Sequence, residues 1–232
     1  MELVFIWTPS KHAKEDHKML CEAPLRGIAC PSPPYENYLM IGSSAGGVIF
    51  FQVEGKEFEF DSVVKGHDAA VTCLGGGANC AVSGDQDGNT TVWSTMSKAV
   101  QCTLKGDGHP TTSCHVRKDR VFVAYSTGNI KIFLRSTQTV AVEIAAHARC
   151  IWAMDIHPYK NWIASVGEDT MLNVFSFPEQ DDGEVELIVS RVVTDNVLTG
   201  VQFSRNSKSD QNIYGTAYDK EAKICWQMLT VI

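Results

Sequence analysis

Short apolar runs recur along the chain, alternating or nearly continuous in hydrophobic character and bounded by Gly, Asn, Asp, Ser or Pro. That pattern predicts β-strands, and no segment carries a long helical period with caps. Residues 39–41 and 48–51 flank a turn at 42–47, residues 121–124 and 130–133 flank 125–129, and residues 162–165 and 172–175 flank 166–170. Each pair predicts a hairpin made by the second and third strands of a larger unit. Residues 213–217 and 223–226 predict a looser copy. An aromatic residue closes the third strand of each unit at Trp7, Phe51, Trp93, Phe133, Phe175 and, less cleanly, Trp226, with gaps of 44, 42, 40, 42 and 51 residues.

This period is the one expected when a four-stranded sheet is repeated around a central channel, which predicts an all-β propeller. The chain reads as a single domain over 1–232, with the end of a partial blade at 1–22, fuller repeats at 23–60, 61–104, 105–143 and 144–189, and a last repeat at 190–232. Roughly five blades are expected, an open or incomplete arc relative to a seven-bladed ring. The clearest copy runs from Gly66-His67 through Ser83-Gly84-Asp85-Gln86-Asp87-Gly88 to Val92-Trp93, and it resembles a WD repeat. The resemblance implies one hydrogen-bonded network of His67, Ser83, Asp87 and Trp93, because a buried indole and a buried imidazole both need partners. A second copy offers His147, Ser165 and Asp169, but Phe175 stands at the Trp position and has no N–H to donate. The copies ending at Phe51 and Phe133 place Ala45 and Thr127 where the Asp would be, and are expected to hold by packing alone.

At finer grain, the stretches 146–155 (AHARCIWAMD) and 165–170 (SVGEDT) are similar to a blade of the WD repeat-containing protein 54 family. Arg26-Gly27-Ile28-Ala29, Ala124-Tyr125 with Gly128-Asn129, and Thr216-Ala217-Tyr218-Asp219 also look like that family and come in its order. The resemblance runs from about residue 3 to residue 226, and it implies further blades before the strand at 3–7. Uncovered strand edges are a pairing hazard, so self-association or a partner subunit over the open blade edges is expected.

A length of 232 residues is ample for a core, and 44% hydrophobic with 20% charged residues fits a folded globular chain. The formal net charge of -7 argues against a nucleic-acid backbone as partner. The apolar start at 3–7 is too short to cross a bilayer and follows no basic segment, so neither membrane anchor nor signal peptide is expected and the default location is cytoplasmic. Several of the eight cysteines, such as Cys73, alternate with apolar residues inside predicted strands and read as reduced core thiols. No CxxC pair occurs, and no metal or cofactor is expected.

The stretch 42–46 (GSSAG) fits the G-x-S-x-G pattern of a hydrolase nucleophile elbow, but an elbow is followed by a helix, whereas 48–51 is a strand. Ser44 is therefore read as a turn residue. Ser62 and Lys65 fit S-x-x-K without its companion motifs, and Gly75-Gly76-Gly77 precedes no Lys-Ser or Lys-Thr pair. His12 with His17, and His109 with Cys114 and His115, match no defensible metal spacing. The polar loops at 8–18 and 178–184 read as solvated connections or docking arms, the latter without the ligand spacing of a calcium loop.

Everything regular in the sequence maintains blades, which points to a non-catalytic scaffold or adaptor that binds other proteins through the propeller face and rim loops. The alternatives are a hydrolase-type enzyme with a site at the channel mouth and a substrate receptor of a ubiquitin ligase. The latter would be favoured by Trp-Asp-x-Arg after a third strand, where this chain has Trp93-Ser94-Thr95-Met96. Slots two residues after the His position face one end of the propeller: Arg26, Ala69, Thr111, Arg149 and, by looser alignment, Asn196. Arg is enriched at interface hot spots, so these are the candidate partner-binding positions.

Overall fold

The computed structural model of the chain describes residues 24–30, 38–54, 57–77, 80–179, 183–193, 197–205, 212–218 and 224–230. The run at 3–7 with Trp7, the partial blade at 1–22, the loop at 8–18, residues 180–182 of the second loop, and Asn196 lie outside the described residues.

The described residues form five antiparallel sheets. The first contains β1 (Leu25–Ala29), β2 (Tyr38–Ser43), β3 (Gly47–Glu54) and β4 (Glu57–Lys65). The second contains β5 (Val71–Gly76), β6 (Cys80–Asp85), β7 (Thr90–Ser94) and β8 (Val100–Leu104). The third contains β9 (Thr111–Arg117), β10 (Arg120–Tyr125), β11 (Asn129–Leu134) and β12 (Thr139–Ala145). The fourth contains β13 (Ile151–Ile156), β14 (Trp162–Gly167), β15 (Met171–Ser176) and β16 (Glu186–Val192), and the last β17 (Leu198–Phe203), β18 (Asn212–Tyr218) and β19 (Ile224–Thr230). Within each sheet every strand pairs with the next in sequence, the order produced by successive hairpins. β4, β12 and β16 run a few residues past the repeat ends read at 60, 143 and 189.

The first strands β1, β5, β9, β13 and β17 pack against one another in that order, so the sheets stand as successive blades with their first strands innermost. No comparable packing joins the described residues of the last blade to the first. This placement explains the sequence pattern. A second strand such as β6 is covered on both faces by adjacent blades and is buried at every residue, whereas β16 at the rim is mostly exposed. Four apolar clusters fill the joints between blades, with Trp93 and Phe50 in edge contact in the first and Phe122, Phe175 and Phe177 in the third.

Each blade slips register once near the start of its first strand, and each described four-stranded blade slips again beside the aromatic that marks its third strand. Bulges raise local twist, which a propeller blade needs to run from channel to rim. The aromatic marks align: Phe51 pairs Leu39, Trp93 pairs Ala81, Phe133 pairs Val121 and Phe175 pairs Ile163. In the last blade the equivalent pair is Ile213 with Leu229, while Trp226 pairs Thr216. The register mark there is Leu229 rather than Trp226, because β18 and β19 pair three residues further along the strand. The tight turn between second and third strands takes a left-handed residue at Gly46, Gly88, Gly128 and Thr170, with φ of 83°, 85°, 92° and 63°.

Candidate functional site

The polar residues singled out in the sequence lie at one end of the blades, where the turn between second and third strands meets the loop entering the first strand. In the second blade Trp93 Nε1 donates to Ser83 Oγ at 2.7 Å, and Ser83 Oγ lies 2.6 Å from His67 Nε2. An indole N–H can only donate, so the Ser83 hydroxyl proton is free to point at Nε2, and the imidazole proton then sits on Nδ1. Nδ1 lies 2.8 Å from Asp85 Oδ2 and donates that proton to it. The acid of the network is therefore Asp85, and the sequence assignment to Asp87 is corrected. Asp87 is exposed at the tip of the turn, and its backbone N–H donates to Asp85 Oδ1 at 3.0 Å. Burial alone would raise the Asp85 carboxyl, but hydrogen bonds from His67 and from the Asn89 backbone hold it below the ordinary aspartate range.

In the fourth blade His147 Nε2 lies 2.9 Å from Ser165 Oγ, and His147 Nδ1 lies 2.9 Å from Asp169 Oδ1. Asp169 also accepts the backbone N–H groups of Met171 and Ala148. The two blades thus draw their carboxylate from positions two residues apart. The cause is Gly167, which stands where the second blade has Asp85: a Cβ there would come within 2.7 Å of His147 Nδ1 and 2.9 Å of Asp169 Oδ1. The glycine leaves the space that Asp169 fills. Phe175 supplies no donor, so Ser165 serves His147 alone.

The third blade does not hold by packing alone, contrary to the sequence expectation. Its loop enters β9 two residues sooner after the histidine, so Asp107, not His109, occupies the slot of His67 and His147. Asp107 pairs with Lys131 Nζ at 2.7 Å, and Lys131 lies 5.5 Å from the ring centre of Tyr125. Lys131 shares its third-strand position with Thr91, which donates to Gly66 O, and Asn173, which donates to Ala146 O. In three blades this position ties down the entering loop. Strand alternation hides such a role, since the three side chains share only a donor and not a residue type.

The proposed partner-binding positions separate. The Arg149 side chain is 65% exposed beside Glu168 at 3.5 Å. Ala69 is half-buried in the equivalent loop, and Arg26 is exposed on β1. Thr111 is buried, with its hydroxyl donating to Asp85 O at 2.9 Å and 2.7 Å from that of Thr72, so it cannot meet a partner. The shorter loop shifted the count, and His109 occupies the slot of Ala69 and Arg149. Sequence reasoning also missed Trp152, the residue that bulges out of β13 and is 48% exposed. A bulge re-aims a side chain, and an exposed Trp three residues after Arg149 is the signal that could have found it.

Two Ser-His-Asp connections of this kind invite a comparison with hydrolase triads. A nucleophile must reach a substrate, and both Ser83 and Ser165 are fully buried. Ser44 sits in the turn between β2 and β3, its N–H donating to Pro24 O at 2.7 Å. Among the described residues no group of three or more His, Cys, Asp or Glu is placed to hold a metal, and no helix is long and apolar enough to cross a membrane.

Blades of four antiparallel strands, first strands innermost, with a His-Ser-Asp-Trp network in the best copy, define a WD-repeat protein. The model of the WDR54 family matches residues 15–225, and the chain belongs to that family. It is 27% identical to human WD repeat-containing protein 54 over 207 residues, covering 84% of this chain and 60% of that protein. It is 26% identical to the mouse protein of that name over 191 residues, covering 77% of this chain and 56% of the relative. The matched chain thus spans under two thirds of the length of these relatives.

Proposed function

We propose that the protein is a non-catalytic scaffold that docks other proteins on the end of the propeller carrying Arg149 and Trp152. WD-repeat proteins generally mediate protein–protein contacts, and the family assignment supports that class. The observation that carries the finer reading is the contrast within one blade. His147, Ser165 and Asp169 are spent on holding the loop, while Arg149 and Trp152 beside them are left exposed on a rigid support. Cytoplasmic residence belongs to the same reading, with Cys30, Cys73, Cys80, Cys102, Cys114 and Cys150 as free thiols.

Coverage of the first blade by a partner subunit or a second copy belongs to this proposal. Ile28 is 64% exposed in the first-strand position where Cys114 and Met154 are buried against a preceding blade. Affinity capture from cell extract with the wild-type chain and with an Arg149→Glu, Trp152→Ala variant is the test. The variant is expected to lose bound proteins while its melting temperature changes by no more than about a degree, as expected for exposed positions. An unchanged bound set would remove this end of the propeller from the interface.

A further inference from the structure

The joint between the second and third blades holds two thiols in contact. Cys73 on β5 and Cys114 on β9 place their Sγ atoms 3.4 Å apart, with relative exposures of 8% and 1%. The innermost strands approach closely here. A Cβ added at Gly75 would lie 2.2 Å from the Cys114 carbonyl oxygen, and one at Gly84 would lie 2.9 Å from Cys73 Sγ. Both thiols sit in a cluster with Val82, Val121 and Val123, and the hydroxyls of Thr72 and Thr111 lie 3.9 and 3.8 Å from Cys73 Sγ.

We propose that Cys73 and Cys114 are a peroxide-responsive pair that closes into a disulfide and staples the second blade to the third. From 3.4 Å the sulfurs must approach by roughly 1.4 Å to reach disulfide bond length. The two partners are not equivalent. Cys73 is the more accessible, and its Sγ donates towards Cys114 Sγ and Thr111 Oγ1, whereas the hydrogen bond with Cys73 and burial push the Cys114 thiol well up. The Cys73 thiolate attacks one oxygen of hydrogen peroxide, the O–O bond breaks, and the departing hydroxide takes up a proton as water. Cys73 is then a sulfenic acid. Cys114 loses its proton, attacks Cys73 Sγ and expels the hydroxyl as a second water. In sum two thiols are oxidised and one peroxide is reduced.

Other cysteines of the same core do not compete on equal terms. Cys80 is buried, accepts from Arg135 Nη1 at 3.2 Å, and is raised by burial, as is Cys102. The feature that carries the pair is geometric, the 3.4 Å contact between its two sulfurs.

The test exposes the full chain to hydrogen peroxide, blocks free thiols under denaturing conditions, and maps tryptic peptides by mass spectrometry. Peptide 66–98 carries Cys73 and Cys80, and peptide 106–117 carries Cys114. The expected product joins these two through Cys73, as fragment ions show. It is reversed by dithiothreitol, persists in Cys80→Ser and is absent in Cys73→Ser and Cys73→Ala. Its melting midpoint rises on the order of 5 °C and returns on reduction. The proposal is overturned if Cys114 stays alkylatable after peroxide, if it is bonded to any cysteine other than Cys73, or if Cys73 passes to sulfinic acid unlinked. Should the Cys73 variants fail to fold, the wild-type and Cys80→Ser maps decide.

Discussion

His67 Nδ1 and Asp85 Oδ2 are joined at 2.8 Å inside the second blade, with both side chains almost wholly buried. The pair is the end of a chain of donors that starts at Trp93, and each removal should strand a neighbour. Asp85→Ala is expected to cost about 2–3 kcal/mol, because it unpairs His67 and the turn N–H groups of Asp87 and Asn89. Asp87→Ala, on the exposed tip, should stay within about 0.5 kcal/mol of wild type. Trp93→Phe keeps most of the packing and should cost about 1 kcal/mol, and Trp93→Ala about 3–5 kcal/mol. Urea melts of the four variants check the order, and equal effects for the two aspartates would refute the assignment to Asp85.

The carboxylates should also set the acid limit of stability. Asp85 and Asp169 are both held below their ordinary range, burial opposing and hydrogen bonds from the paired histidines and backbone N–H groups prevailing. A depressed folded-state value means that the stabilisation is complete above the unfolded pKa, about 3.9, and is lost as pH falls through the lower folded value. An Asp85→Asn, Asp169→Asn chain should therefore be less stable at neutral pH and show a flatter decline below about pH 4. Melting curves across that window measure it, and parallel profiles would show that the two carboxylates are not the groups responsible.

The tight turns give an opposite pair of effects. Thr170 holds φ of 63° where three other blades have glycine. Left-handed backbone is costly for a β-branched residue, so Thr170→Gly should be stabilising by roughly 0.5–1 kcal/mol after the extra chain entropy of glycine is subtracted. Gly128→Ala should be strongly destabilising, since φ is 92° and the new Cβ would lie 2.2 Å from the His147 carbonyl oxygen. Chemical denaturation of both variants decides; a Thr170→Gly chain weaker than wild type would mean the threonine side chain contributes more than its strain.

Much of this architecture could be read from the chain because strand pairing is local. The hairpins around Gly46, Gly128 and Thr170 and the aromatic marks Phe51, Trp93, Phe133 and Phe175 depend on neighbours in sequence, and they fall where the periodicity places them. What the sequence concealed depends on loop length or on distant contacts. Two aspartates two residues apart in the second blade compete for one histidine, and only the space around His67 chooses between Asp85 and Asp87. Counting from His109 misplaced Thr111 because one loop is shorter. Trp226 misled because an aromatic three residues from the register position looks like the mark itself. The Lys131–Asp107 pair joins residues whose roles show only when blades are superposed by strand register.

Arg117 shows the same limit at longer range and supplies the last prediction. From the end of β9 its guanidinium reaches the turn between β13 and β14, where Nη1 donates to His157 O at 3.1 Å and Lys160 O at 2.6 Å and Nη2 donates to Asn161 Oδ1 at 3.1 Å. Arg120 donates alongside to Pro178 O and to Glu179 O, and both guanidiniums lie near the Phe177 ring. Together they clamp the third blade to the fourth. Arg117→Ala leaves three oxygen acceptors of a half-buried turn without this donor and should cost about 2–4 kcal/mol. Arg117→Lys should recover little, because a single ammonium on a flexible stem cannot replace a planar fork spread over three acceptors. Hydrogen exchange on the purified chain locates the effect: faster exchange is expected in β13 and β14 with β1–β4 unchanged. Uniform acceleration across all blades, or full recovery by Lys, would show that Arg117 contributes packing and charge rather than a cross-blade clamp.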